Sequence, residues 1–237
     1  MSKRYSQKQA AARVVREQIA REQRRRTQIW TALGVVFALV VAGAGGWLLY
    51  TSQNDGKYNT PKGMYKDDSG IVVGTGPTVV EVYLDFLCPI CRNFENQSKD
   101  TVDQMVAENK IKMVYHPVAI LDHQSTNKFP TRAAAASACA ADEGKFQAYA
   151  QAVYANQPAE GGAGPEGSEL IATGRTIGLG DSFATCVKDG TYLDWTKHTT
   201  ELLAKRAKAA TPTMFIDGKQ VDATVQSIID AVTKADK

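Results

Sequence analysis

A run of apolar and β-branched residues from Thr78 to Phe86, TVVEVYLDF, leads directly into Cys-Pro-Ile-Cys. Beyond it, Arg92 to Asn109 places Phe94, Val102, Met105 and Val106 at the spacing of an apolar helix stripe. The two cysteines therefore fall where a strand gives way to a helix, with a proline at the first helical position, where no N–H is needed. A second extended run, KIKMVYHPVAI, follows and is expected to stop at Pro117. A shorter one, Ile71–Val73, precedes, set off by Gly74, Gly76 and Pro77. Strand, helix, strand in this order is a βαβ unit, so the chain is placed in the α/β class.

The middle of the chain changes character. PTRAAAASACAADEGKFQAYAQAVYANQ is Ala-rich and helical, with a break at Gly144. The stretch from Pro158 to Gly167 is a loop by composition. Helical segments are expected around Ser168–Gly178, Asp181–Lys188 and Leu193–Ala209. Extended structure then returns in TPTMFIDGKQV, where Asp217-Gly218 marks a hairpin turn. A last helix carries Val225, Ile228, Ile229 and Val232 on one face and is expected to be capped by Asp222. The order is βαβ, a helical insertion over about residues 121–209, then ββα.

Four cysteines are present: Cys88, Cys91, Cys139 and Cys186. A lone CxxC pair is compatible with metal binding, with a local cross-link, and with electron exchange. A structural zinc site ordinarily shows two close ligand pairs, and here there is one pair with two distant singles. The three histidines, His116, His123 and His198, are scattered and form no ligand cluster. A cross-link between Cys88 and Cys91 closes so small a loop that it removes little chain entropy and stabilises poorly. Exchange chemistry fits the position better. At a helix N-terminus the free N–H groups and the helix dipole favour the Cys88 thiolate, and Cys91 lies one turn deeper as the resolving thiol. Pro89 and Ile90, between them, modulate that thiolate, with Ile90 contributing neither charge nor donor.

Charge is unevenly distributed. The whole chain carries +3, but residues 1 to 26 hold nine Lys/Arg against Glu17 and Glu22, so they carry +7 and the remainder −4. A localised basic block on an otherwise mildly acidic protein argues against a nucleic-acid-binding face. The charge-free run from residue 29 to 50, IWTALGVVFALVVAGAGGWLLY, is long enough as a helix, about 33 Å, to cross a bilayer core. Trp30, Trp47 and Tyr50 stand at its ends, where aromatic rings prefer the interface. The reading is a cytoplasmic basic segment (1–28), a single-pass transmembrane anchor (29–50), a linker (51–70), either a free tether or partly ordered against the domain, and an extracytoplasmic domain (71–237). Ala42 to Ala44 also has the form of a signal-peptidase site, but the basic region is long for a signal peptide and apolar sequence continues past it. Either route delivers the domain to an oxidising compartment, where disulfides persist.

Four motifs in order carry a family resemblance: DFLCPIC (Asp85 to Cys91), CAADEGKF (Cys139 to Phe146), FATCVKDG (Phe183 to Gly190) and TPTMFIDGK (Thr211 to Lys219). Together they resemble the DsbA-like thiol–disulfide oxidoreductases, thioredoxin-fold proteins with a helical insertion, over about residues 70–236. The resemblance implies that Cys88–Cys91 is the redox-active disulfide and that Cys139–Cys186 is a second, structural one. Such a bridge, closing a loop of roughly 48 residues, stabilises by about 4 kcal/mol; a second redox relay is the rival reading for it. The resemblance also implies a cis bond before Pro212 that presents the Thr211 backbone to a substrate strand. In one respect the chain departs from the pattern. Many relatives place a buried acid six residues before the first cysteine to handle the deeper thiol's proton. Here Val82 stands there, flanked by Glu81, which faces the other way on a strand. Asp85 matches a frequent family position without an assigned role, and His116 reads as structural rather than catalytic.

The function implied is the introduction of disulfides into reduced exported proteins, with no cofactor. A membrane reoxidant of the DsbB-like or vitamin K epoxide reductase-like type would restore the enzyme disulfide. A reductase or isomerase would use the same chemistry at the opposite poise. Pro89 resembles oxidants and Thr211 resembles some isomerases. A non-catalytic thioredoxin-fold chaperone is the third reading, against which the intact CxxC speaks.

Overall fold

The computed structural model describes residues 58–66 and 69–235, with Trp30, Gly34, residues 39–41, Gly43 and Gly45 before them. The basic segment 1–28 and most of the expected span 29–50 lie outside the described residues. Among the described residues no helix is long and apolar enough to cross a membrane.

The domain begins earlier than its strands suggest. Tyr58 to Lys237 form one unit, and the described end of the linker is ordered against the body. Tyr58 stacks on His198 with ring centroids 4.4 Å apart. The Lys62 amide donates to Asp142 Oδ1 at 2.9 Å, and Met64 makes an isolated bridge to Ile71.

The strands are β1 (Ile71–Val73), β2 (Thr78–Asp85), β3 (Ile111–Val118), β4 (Thr213–Ile216) and β5 (Lys219–Val221), in the sheet order β1-β3-β2-β4-β5. β2 and β3 pair in parallel, Thr78 opposite Ile111 through Asp85 opposite Val118. All other pairs are antiparallel. Helix α1 (Pro89–Ala107) crosses between the two parallel strands. β4 and β5 are joined at Asp217-Gly218, both with positive φ (48° and 80°), the geometry that lets a two-residue turn follow the strand twist.

Period-two alternation sorts the central strand. Val80, Val82 and Leu84 enter the main core with Phe94 and Val102 of α1 and Ile228 and Val232 of the last helix. Tyr83 faces the other way into a smaller cluster with Val118, Leu203 and Phe215. The insertion comprises α2 (Phe129–Asp142), α3 (Phe146–Ala155), α4 (Gly167–Thr176), α5 (Asp181–Lys188) and α6 (Leu193–Arg206), and α7 (Val225–Ala235) closes the chain. The alanines of α2 are nearly all buried, because only small side chains let neighbouring helices approach it closely. Gly174 serves the same end: a Cβ there would fall 2.2 Å from the Phe183 ring.

Two local expectations are corrected. β3 does not stop at Pro117 but runs on to Val118. The Pro117 carbonyl accepts from Thr199 Oγ1 at 2.8 Å, so that residue's polar edge faces away from β2. β1 pairs only as far as Tyr115, and the missing N–H therefore costs no ladder bond. At the last helix, Thr224 rather than Asp222 caps: its Oγ1 accepts from the Ser227 amide at 3.2 Å.

Candidate active site

Cys88 is the N-cap of α1, with extended backbone angles (φ −72°, ψ 116°) and Pro89 following at the first helical position. The sequence places it there because β2 must end before the helix can begin, and the Asp85 carbonyl holds the turn by accepting from the Cys88 amide at 3.1 Å. Both cysteines of the pair are free thiols. Cys91 is wholly buried, while Cys88 keeps a sliver of exposure at 6%. Beside them Pro89 and Ile90 are exposed, Ile90 by 64%. The redox pair thus presents one sulfur at the rim and hides the other.

The C-terminal half completes the rim. Thr211-Pro212 is a cis peptide, and the Cys88 thiol donates to the Thr211 carbonyl across 3.4 Å. The helical insertion contributes from its own side. Gln157, just beyond α3, donates from Nε2 to the Phe86 carbonyl at 2.8 Å and to the Cys88 carbonyl at 3.0 Å. Tyr154 donates from its hydroxyl to the Asp85 carbonyl at 3.3 Å, and its ring lies 5.0 Å from that of Phe86. Nothing in the sequence flagged Gln157 or Tyr154, since one glutamine after a helix and one buried tyrosine carry no spacing signal.

The electrostatics separate the two thiols. Cys88 is lowered to about 6, chiefly because the Cys91 thiol hydrogen-bonds to it. Burial opposes this, and the amides of Cys91 and Ile90 and the Thr211 side chain assist. The helix N-terminus foreseen from sequence therefore contributes, but second to the partner thiol. Cys91 is pushed well above the usual thiol range by burial first and by the neighbouring Cys88 second. One sulfur is a thiolate at neutral pH and its partner a thiol that must lose a proton before it can attack.

The usual acid is missing, and the nearby acids are held in different surroundings. Val82 is fully buried in the apolar core. Glu81 faces the opposite side of the sheet, where Arg206 donates to both its oxygens at 2.6 and 2.8 Å. His116 belongs to that cluster, stacked on Tyr83 at 4.2 Å with Nε2 3.5 Å from Glu81, and so lies off the site. A cleft of about 630 Å³ opens beside the Glu81–Arg206 pair; disulfide exchange with a protein partner calls for an exposed rim instead. Asp85 is wholly buried and burial raises it to about 7. Glu95, one helical turn past Cys91, is also raised to about 7 by burial, with Asp103 adding to the shift.

Cys139 of α2 and Cys186 of α5 are joined in a disulfide with an S–S distance of 2.06 Å across a separation of 47 residues. The bond ties together two helices of the insertion, and neither sulfur sits at a helix N-terminus. No group of three or more His, Cys, Asp or Glu side chains converges on a metal position among the described residues.

Comparison with known proteins places this arrangement. The sequence profile of the family described as Thioredoxin matches residues 67–231. The chain belongs to the thioredoxin family. Reduced DsbA of Mycobacterium tuberculosis superposes with a TM-score of 0.63 at 31% identity, covering 70% of this chain and 91% of that one. The disulfide bond oxidoreductase DsbG of the same organism gives 0.62 at 31% identity, covering 70% and 86%. The thiol-disulfide oxidoreductase MdbA of Corynebacterium diphtheriae shares the fold, with a TM-score of 0.61 at 18% identity and coverage of 76% and 97%. Among curated sequences, the serine/threonine-protein kinase PknE of Mycobacterium tuberculosis is 32% identical over 167 residues. That match takes in 65% of this chain, which spans only 29% of the kinase's length. A DsbA-like thioredoxin fold with a CxxC pair at the head of its first helix is the architecture of a thiol–disulfide redox enzyme.

Proposed function

We propose that the protein is a thiol oxidase acting outside the cytoplasm. It introduces disulfides into reduced exported proteins through Cys88–Cys91. The observation that carries this reading is the asymmetry of the pair. A thiolate held at the rim stabilises the dithiol form relative to the disulfide, which makes the disulfide oxidising, and the buried thiol behind it is the sulfur that leaves when the rim sulfur is attacked. A substrate thiolate attacks Cys88 Sγ, and the bond to Cys91 breaks. The Cys91 sulfur leaves with the electron pair and takes a proton. The substrate's second thiolate then attacks its own sulfur in the mixed disulfide, releasing Cys88 as a thiolate. Two electrons have moved from substrate to enzyme. Thr211, whose carbonyl faces Cys88, is placed to pair with the substrate backbone during the mixed disulfide.

The charge pattern of the sequence supports the rest of the proposal. Residues 29–50 form the uncleaved anchor, residues 1–28 stay in the cytoplasm, and a DsbB-like or vitamin K epoxide reductase-like membrane protein reoxidises the pair. Redox titration against glutathione decides the direction of electron flow: an oxidase has a potential above that of thioredoxin, about −270 mV. A potential at or below that value, with strong disulfide-reducing activity, would favour the reductase. Protease added to spheroplasts should remove the domain, and a mature N-terminus near Gly45 would sink the anchor.

A further inference from the structure

The turn that carries Cys88 is gripped from outside by the end of α3. Gln157 follows the C-cap Asn156 of that helix, and its own amide donates back to the Tyr154 carbonyl at 3.2 Å, so the helix end fixes its position. The two hydrogens on its side-chain nitrogen go to the carbonyls of Phe86 at 2.8 Å and Cys88 at 3.0 Å, across 71 and 69 positions of sequence. Which way the amide group points is fixed as well, because an oxygen in place of Nε2 would face two carbonyl oxygens. Tyr154 adds its hydroxyl to the Asp85 carbonyl at 3.3 Å.

What these bonds hold are peptide units. The unit joining Phe86 to Leu87 is pinned at both ends: its carbonyl accepts from Gln157, and its N–H donates to Asp85 Oδ1 at 2.9 Å. Phe86 is buried, and its carbonyl has no other donor among the described residues. The unit joining Cys88 to Pro89 has no N–H, so it can be oriented only through its carbonyl. That carbonyl accepts from the Arg92 amide at 3.2 Å, which starts the helix, and from Gln157. The plane of this unit decides how the Cys88 side chain sits against the first turn of α1, where the amides of Ile90 and Cys91 reach its sulfur. We propose that Gln157 is a positioning residue for thiol–disulfide exchange: by fixing the Phe86–Leu87 and Cys88–Pro89 peptide units it aims the amides of Ile90 and Cys91 at the Cys88 sulfur. The reactivity of the nucleophile then depends on the docking of the helical insertion, since Gln157 belongs to the insertion and the turn does not. The ionisable groups about Cys88 are Cys91 from α1, Asp85 from β2 and Tyr154 from α3. Gln157 is neutral, so replacing it by another neutral residue alters none of these charges. A change in how Cys88 titrates then reports the aim of the dipoles around it.

This inference rests on the reading of Cys88 as the attacking sulfur of a redox couple, and the tests separate the two. Gln157→Met keeps the length of the side chain and loses both donors. In the reduced variant, thiolate absorbance at 240 nm should titrate about half a pH unit above the unaltered protein. At pH 8 the equilibrium with glutathione should move about threefold toward the disulfide, because the thiolate that favours the dithiol is less well held. A residue that merely braces the fold would lower stability and leave the midpoint and the equilibrium where they were, and that result would overturn the proposal. If Met at 157 prevents folding, the unaltered protein decides. The side-chain amide signals of Gln157 in nitrogen–proton NMR should shift with the same midpoint as the thiolate absorbance, and signals indifferent to that titration would overturn the proposal alone. If the unaltered protein forms no reversible couple with glutathione, the functional reading falls and this inference with it. A working couple whose midpoint is unchanged in Gln157→Met removes only the inference.

Discussion

Cys88–Cys91 and Cys139–Cys186 are chemically the same pair of thiols, held in opposite ways. The first pair is adjacent in sequence, sits at the head of a helix, and has one sulfur at the rim. The second is 47 residues apart, joins two helices, and is already bonded. Sequence separation sets what each bond can do. A bridge over a few residues constrains almost nothing in the unfolded chain and is free to break, whereas one over dozens removes much chain entropy and resists reduction. Location sets the rest. Only the first pair has amides and a neighbouring thiol arranged to stabilise a thiolate.

The largest effect that could break this contrast is on activity. Cys88→Ser should abolish exchange with a reduced, unfolded substrate, and Cys91→Ser should trap mixed disulfides through Cys88, seen on non-reducing gels. Cys139→Ser and Cys186→Ser should leave exchange intact. A folded Cys139→Ser protein unable to turn over would make the second pair a relay.

On stability the two pairs should exchange places. Each of Cys139→Ser and Cys186→Ser should cost about 2–5 kcal/mol in denaturant unfolding. The double variant should cost no more than either single, because the bond is lost once.

Next in size is the pH response. Cys88 has a folded pKa lowered to about 6, against about 8.5 for a free thiol. Its contribution to the reduced form is thus complete above ~8.5 and is lost as pH falls through 6. Asp85 and Glu95 are raised to about 7, so their contribution is present below ~4 and lost as pH rises through 7. Reduced protein should therefore gain stability relative to oxidised protein between pH 6 and 8.5, measured by paired thermal melts. At pH 7 a midpoint of 6 stabilises the dithiol about tenfold over an unperturbed thiol, or about 30 mV. Thiolate absorbance at 240 nm with a midpoint above 8 would erase the distinction between the pairs.

The smallest effect should come from the clamp between them. Gln157→Leu removes two hydrogen bonds to the carbonyls of Phe86 and Cys88. It should cost about 1–3 kcal/mol and leave the Cys139–Cys186 bond in place, as mass spectrometry would verify.

The frame of the molecule is written in local signals. The junction at Cys88, the Asp217-Gly218 turn and the Ala-rich helix each follow from a few adjacent residues, and the structure has them in the expected places. What the sequence leaves hidden depends on residues far apart in the chain. Pro117 stays in its strand because its polar edge faces Thr199 rather than β2. Residues from Tyr58 onward read as linker by composition, and the surface on which they order, Asp142, Thr191 and His198 of the insertion, is set only by the tertiary fold. At the site, Cys88, Cys91 and Thr211 are legible as motif residues, whereas Gln157 reaches the loop only through the tertiary fold. The raised acids became visible only when burial was known, since Asp85 and Glu95 look like any other surface acids in the string.

The bond from Cys88 to the Thr211 carbonyl spans 123 positions of sequence, and this has a consequence for biogenesis. The chain is made from its N-terminus, so the reactive pair emerges well before the carbonyl that faces it. It also emerges before Cys186, so Cys139 is for a time a lone thiol within reach of Cys88 and Cys91. A nascent chain in that interval holds the nucleophile without its finished rim and the structural thiol without its mate. Correct pairing of the four cysteines therefore has to await the synthesis of Cys186, and until then the thiols of the reactive pair and of the structural bridge are open to one another.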